Sequence, residues 1–229
     1  VIFVDDVDEV PPGAPLMLSA HGSAPAVVDA ARTANRYVVN AVCPLVTKVH
    51  HEARVRARKG YTILYVGHTG HDEAVGTVAV APDAMHLVAD EESLARTLAD
   101  VGEDEPIAML AQTTLAHHEW TGLLEKTRSQ FPQLWTATRN DLCFATTNRQ
   151  DALTTIAGRA DAVVVIGSAN SSNTLALAEV ARSAGSSVVL RVDGPDELDL
   201  DALDGATIVG VTAGASAPED LVDAVIAKL

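Results

Sequence analysis

YVGHTGHDEAVG, from Tyr65 to Gly76, is answered one hundred residues later by VIGSANSSNTLA, from Val165 to Ala176. Each stretch begins as an apolar run and breaks at a glycine into a small polar loop. The same offset relates NAVCPLVTKVH (Asn40 to His50) to DLCFATTNRQ (Asp141 to Gln150), so that Cys43-x-x-x-Thr47 matches Cys143-x-x-x-Thr147. A third kind of element recurs in LSAHGSAPAVVDA from Leu18, LAQTTLAHHEW from Leu110 and GVTAGASAPEDLV from Gly210, each a strand ending in a small polar loop before a helix. A repeat this long decides the fold before any single motif does.

Working outward, apolar runs predict strands at Pro15–Ala20, Arg36–Val42, Thr62–Gly67, His86–Ala89, Ile107–Ala111, Ala162–Gly167, Ser187–Val192 and Thr207–Val211. Helical patterns fill Val46–Lys59, Glu91–Ala99, His118–Gln130, Asn148–Ala157, Thr174–Ala184 and Glu219–Lys228. Such alternation predicts an α/β fold with parallel sheets built from βαβ units. The repeat divides the chain into the remainder of a first domain at 1–42, a second at 43–142 and a third at 143–229. Three such units point to pseudo-threefold assembly of α/β domains, each turning a cysteine and strand-end loops toward one centre, where such sheets bind ligands. The chain opens without Met and reads as trimmed at both ends, with a third cysteine expected upstream of Val1.

The composition narrows the partners. A net charge of -15 repels phosphate backbones and anionic lipid, so neither nucleic acid nor membrane is expected. Local His, Ser and backbone N–H groups can still take a small anion. No apolar run reaches the ~18 residues of a membrane span and no leader pattern precedes a cleavage site, which predicts a cytoplasmic protein. Two cysteines in 229 residues make no disulfide framework. They are buried small hydrophobes, or they are ligands or nucleophiles, and their repetition favours ligands.

Three cysteines around one centre can hold an iron–sulfur cluster or zinc. His68, His71 and Glu73 in GHTGHDE can deliver protons to a leaving hydroxyl, bind zinc, or simply occupy a surface loop. Ser171, Ser172 and Asn173 ahead of the Thr174 helix can cradle an anion or cap the helix. His21, Gln112 to Thr114 and Thr212 to Ser216 end the other strands and add imidazole, amide and hydroxyl groups. His117 and His118 have no repeat counterpart, and HEARVRARKG from His51 reads as a solvated helix face.

With these residues laid out, the chain resembles the hydroxymethylbutenyl diphosphate reductases, LytB-type iron–sulfur enzymes that end the methylerythritol phosphate route to isoprenoids. The carriers are AHG at Ala20, CPLVTKVH at Cys43, GHxxHxE at Gly67, QTTL at Gln112, DLCFATTNRQ at Asp141, GSxNSSN at Gly167 and TAGASAPE at Thr212. The resemblance implies a cloverleaf of three α/β domains with parallel sheets around a [4Fe-4S] cluster with one open iron site, for which Cys43 and Cys143 are two of three ligands. It implies an allylic alcohol diphosphate substrate that loses its hydroxyl as water to give isopentenyl and dimethylallyl diphosphate, with ferredoxin or flavodoxin as electron donor. Glu73 would be the proton source, assisted by His71 and Thr113, which also touch substrate, and His21, Ser171, Ser172, Asn173 and Ser216 would hold the diphosphate. Asn40 and Val42 replace the usual Asp and Thr before the cysteine, and Asp72 replaces the usual Pro. Two rival readings are a cluster-free diphosphate-binding protein on the same scaffold and a zinc hydrolase using Cys43, Cys143 and His71.

Overall fold

A computed structural model of the chain describes residues 1–34, 37–102, 104–137 and 141–229. Two compact units emerge: Val1–Thr113 with Thr121–Asp141, and Thr114–Trp120 with Leu142–Leu229. The first unit carries a two-stranded sheet of β1 (Leu16–Leu18) and β2 (Val38–Asn40), with α1 (Pro25–Thr33) joining them. Arg36, where the second expected strand begins, lies outside the described residues.

After α2 (Pro44–Arg58), the same unit builds a four-stranded sheet from β3 (Thr62–Val66), β4 (Met85–Val88), β5 (Ile107–Ala111) and β6 (Trp135–Thr136). Its helices are α3 (Asp72–Val78), α4 (Glu91–Ala99) and α5 (His117–Gln130), whose first turn belongs to the second unit. The strand order β4-β3-β5-β6 is parallel throughout. Every residue of β5, and all of β3 except Thr62, is buried, as expected of strands covered on both faces. Val49, Ala53, Ile63, Tyr65, Ala74 and Leu110 form the heart of this core.

The second unit repeats the plan with α6 (Phe144–Ala157), β7 (Ala162–Ile166), α7 (Ser172–Ser183), β8 (Val188–Val192), β9 (Val209–Ala213) and α8 (Glu219–Lys228). Its order is β8-β7-β9, again parallel. In both sheets the chain leaves one strand, pairs the next on one side, then crosses to the other side. That reversal opens a switch point at the carboxyl ends of β3 and β5, and another at those of β7 and β9, where loops can receive a ligand.

Most expected elements stand with shifted ends, and the differences have local causes. The last strand begins at Val209 rather than Thr207, because the Asp161 carboxylate takes the N–H groups of Thr207 and Ile208 at 2.8 and 2.9 Å. Helix α3 was not foreseen; α1, expected after the AHG loop without bounds, opens with Pro25 in its first turn, a position that needs no N–H. Strand β6 is only two residues long and was also unforeseen; the Arg56 guanidinium stacks 3.8 Å from the Trp135 ring centre and fixes it.

Candidate active site

The two cysteines occupy matching positions in their units. Cys43 is the N-cap of α2 with φ -60° and ψ 135°, and Cys143 is the N-cap of α6 with φ -73° and ψ 130°. Neither thiol makes a capping hydrogen bond, and both are free and half-buried. The threonine four residues on explains the Cys-x-x-x-Thr spacing: Thr47 Oγ1 donates to the Cys43 carbonyl at 3.2 Å, and Thr147 Oγ1 to that of Cys143 at 3.3 Å. The Cys43 N–H donates to Ala20, tying this helix start to the AHG loop. Asn40 accepts from the Val42 N–H at 3.2 Å, so the amide forms the local turn that an Asp there would form.

GHTGHDE is not a loop throughout. His71 caps α3, its Nδ1 accepting from the Glu73 N–H at 3.1 Å, so Asp72 is the first helical residue and Glu73 the second. A proline suits that first position equally well, which accounts for the Asp72 exchange. The acidic pair after a capping residue was the signal for this helix, and its seven residues made it easy to miss. Gly76 lets α3 approach the AHG loop, since a Cβ there would sit 3.2 Å from the Gly22 carbonyl oxygen. That approach sets the His21 and His71 rings 5.2 Å apart.

Glu73 is fully buried. Its Oε1 accepts from the Thr113 N–H at 2.7 Å and its Oε2 from the Thr113 hydroxyl at 2.8 Å, with the Tyr65 phenol 3.4 Å from Oε1. Burial raises the carboxyl to about 7 even though these donors favour the charged form. Burial, then His21 nearby, lowers the His71 imidazole below its ordinary value. Gln112 fixes the loop before α3 by accepting from the His68 N–H at 2.9 Å. An acid that titrates near neutrality beside a hydroxyl is suited to give a proton to a leaving group.

In the second unit, Ser171 caps α7 by accepting from the Thr174 N–H at 3.3 Å, and Ser172 accepts from the Thr114 hydroxyl at 3.1 Å. Asn173 is only 4% exposed, yet among the described residues neither its amide oxygen nor its amide nitrogen has a hydrogen-bond partner. Buried amides are normally satisfied, so this one, beside a helix N-terminus, calls for a ligand with hydrogen-bonding groups. Ser216 lies in the exposed loop after β9.

Tyr65, Thr77 and His50 escaped the sequence reading. Tyr65 looked like one more core residue of an apolar strand, and its hydroxyl partners come from residues that no local pattern links to it. Also unforeseen is the buried Asp141, which pairs with Lys48 at 3.1 Å.

Soft thiolates suit an iron–sulfur cluster, and Cys43 and Cys143 fit that chemistry in type, exposure and matched geometry. Among the described residues no three His, Cys, Asp or Glu gather to hold a metal ion.

The chain as a whole is similar to known proteins. The LytB protein family matches the chain over residues 1–229. A 4-hydroxy-3-methylbut-2-enyl diphosphate reductase of Mycolicibacterium paratuberculosis is 45% identical over 228 residues, covering 100% of this chain and 68% of that protein. The enzyme of the same name from Tropheryma whipplei is 47% identical, covering 96% of this chain and 70% of its own length. Among solved structures, the E-1-hydroxy-2-methyl-but-2-enyl-4-diphosphate reductase of Plasmodium falciparum superposes with a TM-score of 0.94 at 30% identity, covering 99% of this chain and 70% of that one. The chain belongs to the LytB protein family.

Proposed function

We propose that this chain carries out, or is the greater part of a protein that carries out, reduction of 4-hydroxy-3-methylbut-2-enyl diphosphate. The substrate loses its hydroxyl as water and takes up two electrons and two protons, giving isopentenyl or dimethylallyl diphosphate, the last step of the methylerythritol phosphate route. The names of the relatives support the reading. The observation in this chain that carries it is the buried Glu73 carboxyl raised to about 7 and bonded to Thr113. A cluster-free binder would need no such acid.

Cys43 and Cys143 are proposed to hold a [4Fe-4S] cluster with a further thiolate. When bound, that cluster supplies the electrons. The chain's own groups do the rest. Protonated Glu73 gives its Oε2 proton to the Thr113 hydroxyl, 2.8 Å away, whose own proton passes on to the departing hydroxyl. His71 holds α3 in register through the Glu73 N–H, and with Thr113 it contacts substrate in this reading. Asn173, Ser171, Ser172, Ser216 and His21 take the diphosphate; the free amide of Asn173 and the N-terminus of α7 supply donors suited to it.

Ferredoxin or flavodoxin is the proposed electron donor and the cytoplasm the proposed compartment; among the described residues no helix is long and apolar enough to cross a membrane. The three sheets are read as three domains, at 1–42, 43–142 and 143–229.

Glu73→Gln tests the central assignment. In the cluster-loaded holoenzyme, iron content should hold while turnover falls by ~10²- to 10⁴-fold, the usual contribution of a positioned acid. Unchanged turnover would remove Glu73 from the chemistry.

A further inference from the structure

Glu73 gives up a proton in every cycle, yet it has no exposed surface through which to regain one. Behind it runs a line of hydroxyls. The Tyr65 phenol approaches Glu73 Oε1 at 3.4 Å, and the neighbouring Thr77 hydroxyl acts on it in the sense that favours its ionised form. Thr77 Oγ1 lies 3.1 Å from His50 Nε2. Tyr65, Thr77 and Glu73 are each 0% exposed, whereas the two ends, His50 and Thr113, are 7% and 6% exposed. The line thus joins two edges of the first unit through a dry interior. Gly22 permits the His50 end: a Cβ there would sit 3.1 Å from His50 Cε1 and 3.3 Å from Nε2.

We propose that His50, Thr77 and Tyr65 form a proton relay that recharges Glu73 from the side opposite Thr113. The inference rests on the reading of Glu73 as proton donor. The polarity is consistent along the line, with His50 Nε2–H donating to Thr77, Thr77 to Tyr65 and Tyr65 to Glu73 Oε1. In one transfer the Nε2–H bond of an imidazolium breaks as a new Thr77 O–H forms. The former Thr77 proton passes to the phenol oxygen, and the former phenol proton passes to Oε1. Imidazolium and carboxylate become neutral imidazole and carboxylic acid; no electrons move and charge balances. The hydroxyls then rotate back, and His50 regains its proton from water at its exposed edge. A half-turn of the neutral carboxyl then carries the new O–H from the Tyr65 side to the Thr113 hydroxyl, so Glu73 is charged on one side and discharged on the other.

The surroundings favour this direction. Burial and then Arg54 lower His50 below its ordinary value, which makes its imidazolium a willing donor, while burial raises Glu73. Burial and then Glu73 push the Tyr65 phenol well above its ordinary value, so it stays neutral and passes protons without holding a charge. Asp141 is the other charge acting on Tyr65 and Glu73, and it too raises both.

Two variants test the relay in the cluster-loaded holoenzyme. Tyr65→Phe keeps the ring and deletes the hydroxyl; His50→Gln can keep the bond to Thr77 but cannot carry a proton. Turnover is followed by rapid mixing from about one pH unit below the Glu73 midpoint. Both variants should slow turnovers after the first by roughly tenfold or more relative to the first, within the range of a lost proton-transfer group. A carboxyl-labelled Glu73, titrated by infrared or carbon NMR in the chain without cluster, should also shift upward in Tyr65→Phe, which removes a donor to the carboxylate. If Glu73→Gln stops the first turnover while Tyr65→Phe and His50→Gln leave the later ones as fast as wild type, the relay is wrong and the donor assignment stands. Equal slowing of first and later turnovers would make Tyr65 a support for Glu73 and overturn the relay. A first turnover untouched by Glu73→Gln would bring down the donor assignment and the relay together.

Discussion

Glu73 carries a stability cost that pH should expose. Its carboxyl titrates near 4.5 in the unfolded chain and at about 7 in the fold, so between those values the folded state binds the extra proton. This contribution is fully present below about pH 4.5 and is lost as pH rises through about 7, by an amount on the order of 3 kcal/mol at 1.36 kcal/mol per pKa unit. Denaturant melts from pH 4.5 to 8 should show wild type losing stability across this window and Glu73→Gln losing less. Parallel profiles would mean that the carboxylate is better solvated than its burial implies. At this scale the sequence names the acid but not its strength. GHTGHDE displays Glu73, yet what sets its behaviour comes from Thr113, forty residues on, and from Tyr65, whose side chain direction in an apolar strand depends on a register fixed only by pairing with β4 and β5. Asn173 is similar: its identity was legible, but that its amide is buried and unpartnered was not.

At the scale of elements, the long strands and helices were legible because each carries its own period and its own stop signals. The short pieces were not. Helix α3 has seven residues, too few to show a period, and its stability comes from the His71 cap and from Gly76 lying on the AHG loop. That loop can be tested through Gly22, which combines φ +83° with a tight approach to Val46 and His50; a Cβ would lie 2.9 Å from Val46 Cγ1. Gly13 has φ +78° and open space around it. Gly13→Ala should therefore report the backbone cost alone, about 1 kcal/mol, and Gly22→Ala that cost plus an overpacking term, about 2–4 kcal/mol in all. Equal losses in denaturant melts would show that the loop can retreat from α2, and with it His21 from His71.

At the scale of the whole molecule, the hundred-residue offset was the most informative feature, because a repeated sequence must solve the same folding problem twice. It does so here: α2 and α6 open on cysteines with nearly the same backbone angles, and β3 and β7 each take one neighbour on either side. What the repeat could not reveal is how each unit specialises. One copy of the loop after the glycine became a capped acid on a short helix, and the other a serine cap beside an unsatisfied amide. The cysteines, by contrast, have not diverged, and equivalence of that kind has a measurable consequence. Neither thiol caps its helix, so Cys43→Ser and Cys143→Ser should each change the melting of the cluster-free protein by no more than about 0.5 kcal/mol, as for a substitution that removes no packing or hydrogen bond. If, as proposed, both thiols hold one cluster, the same two changes should cost the reconstituted holoenzyme bound iron to the same extent, because either way one ligand is lost. If one variant retained its iron, or lowered the stability of the cluster-free fold by several kcal/mol, that cysteine would be a packing residue and the repeat would record ancestry alone at that position.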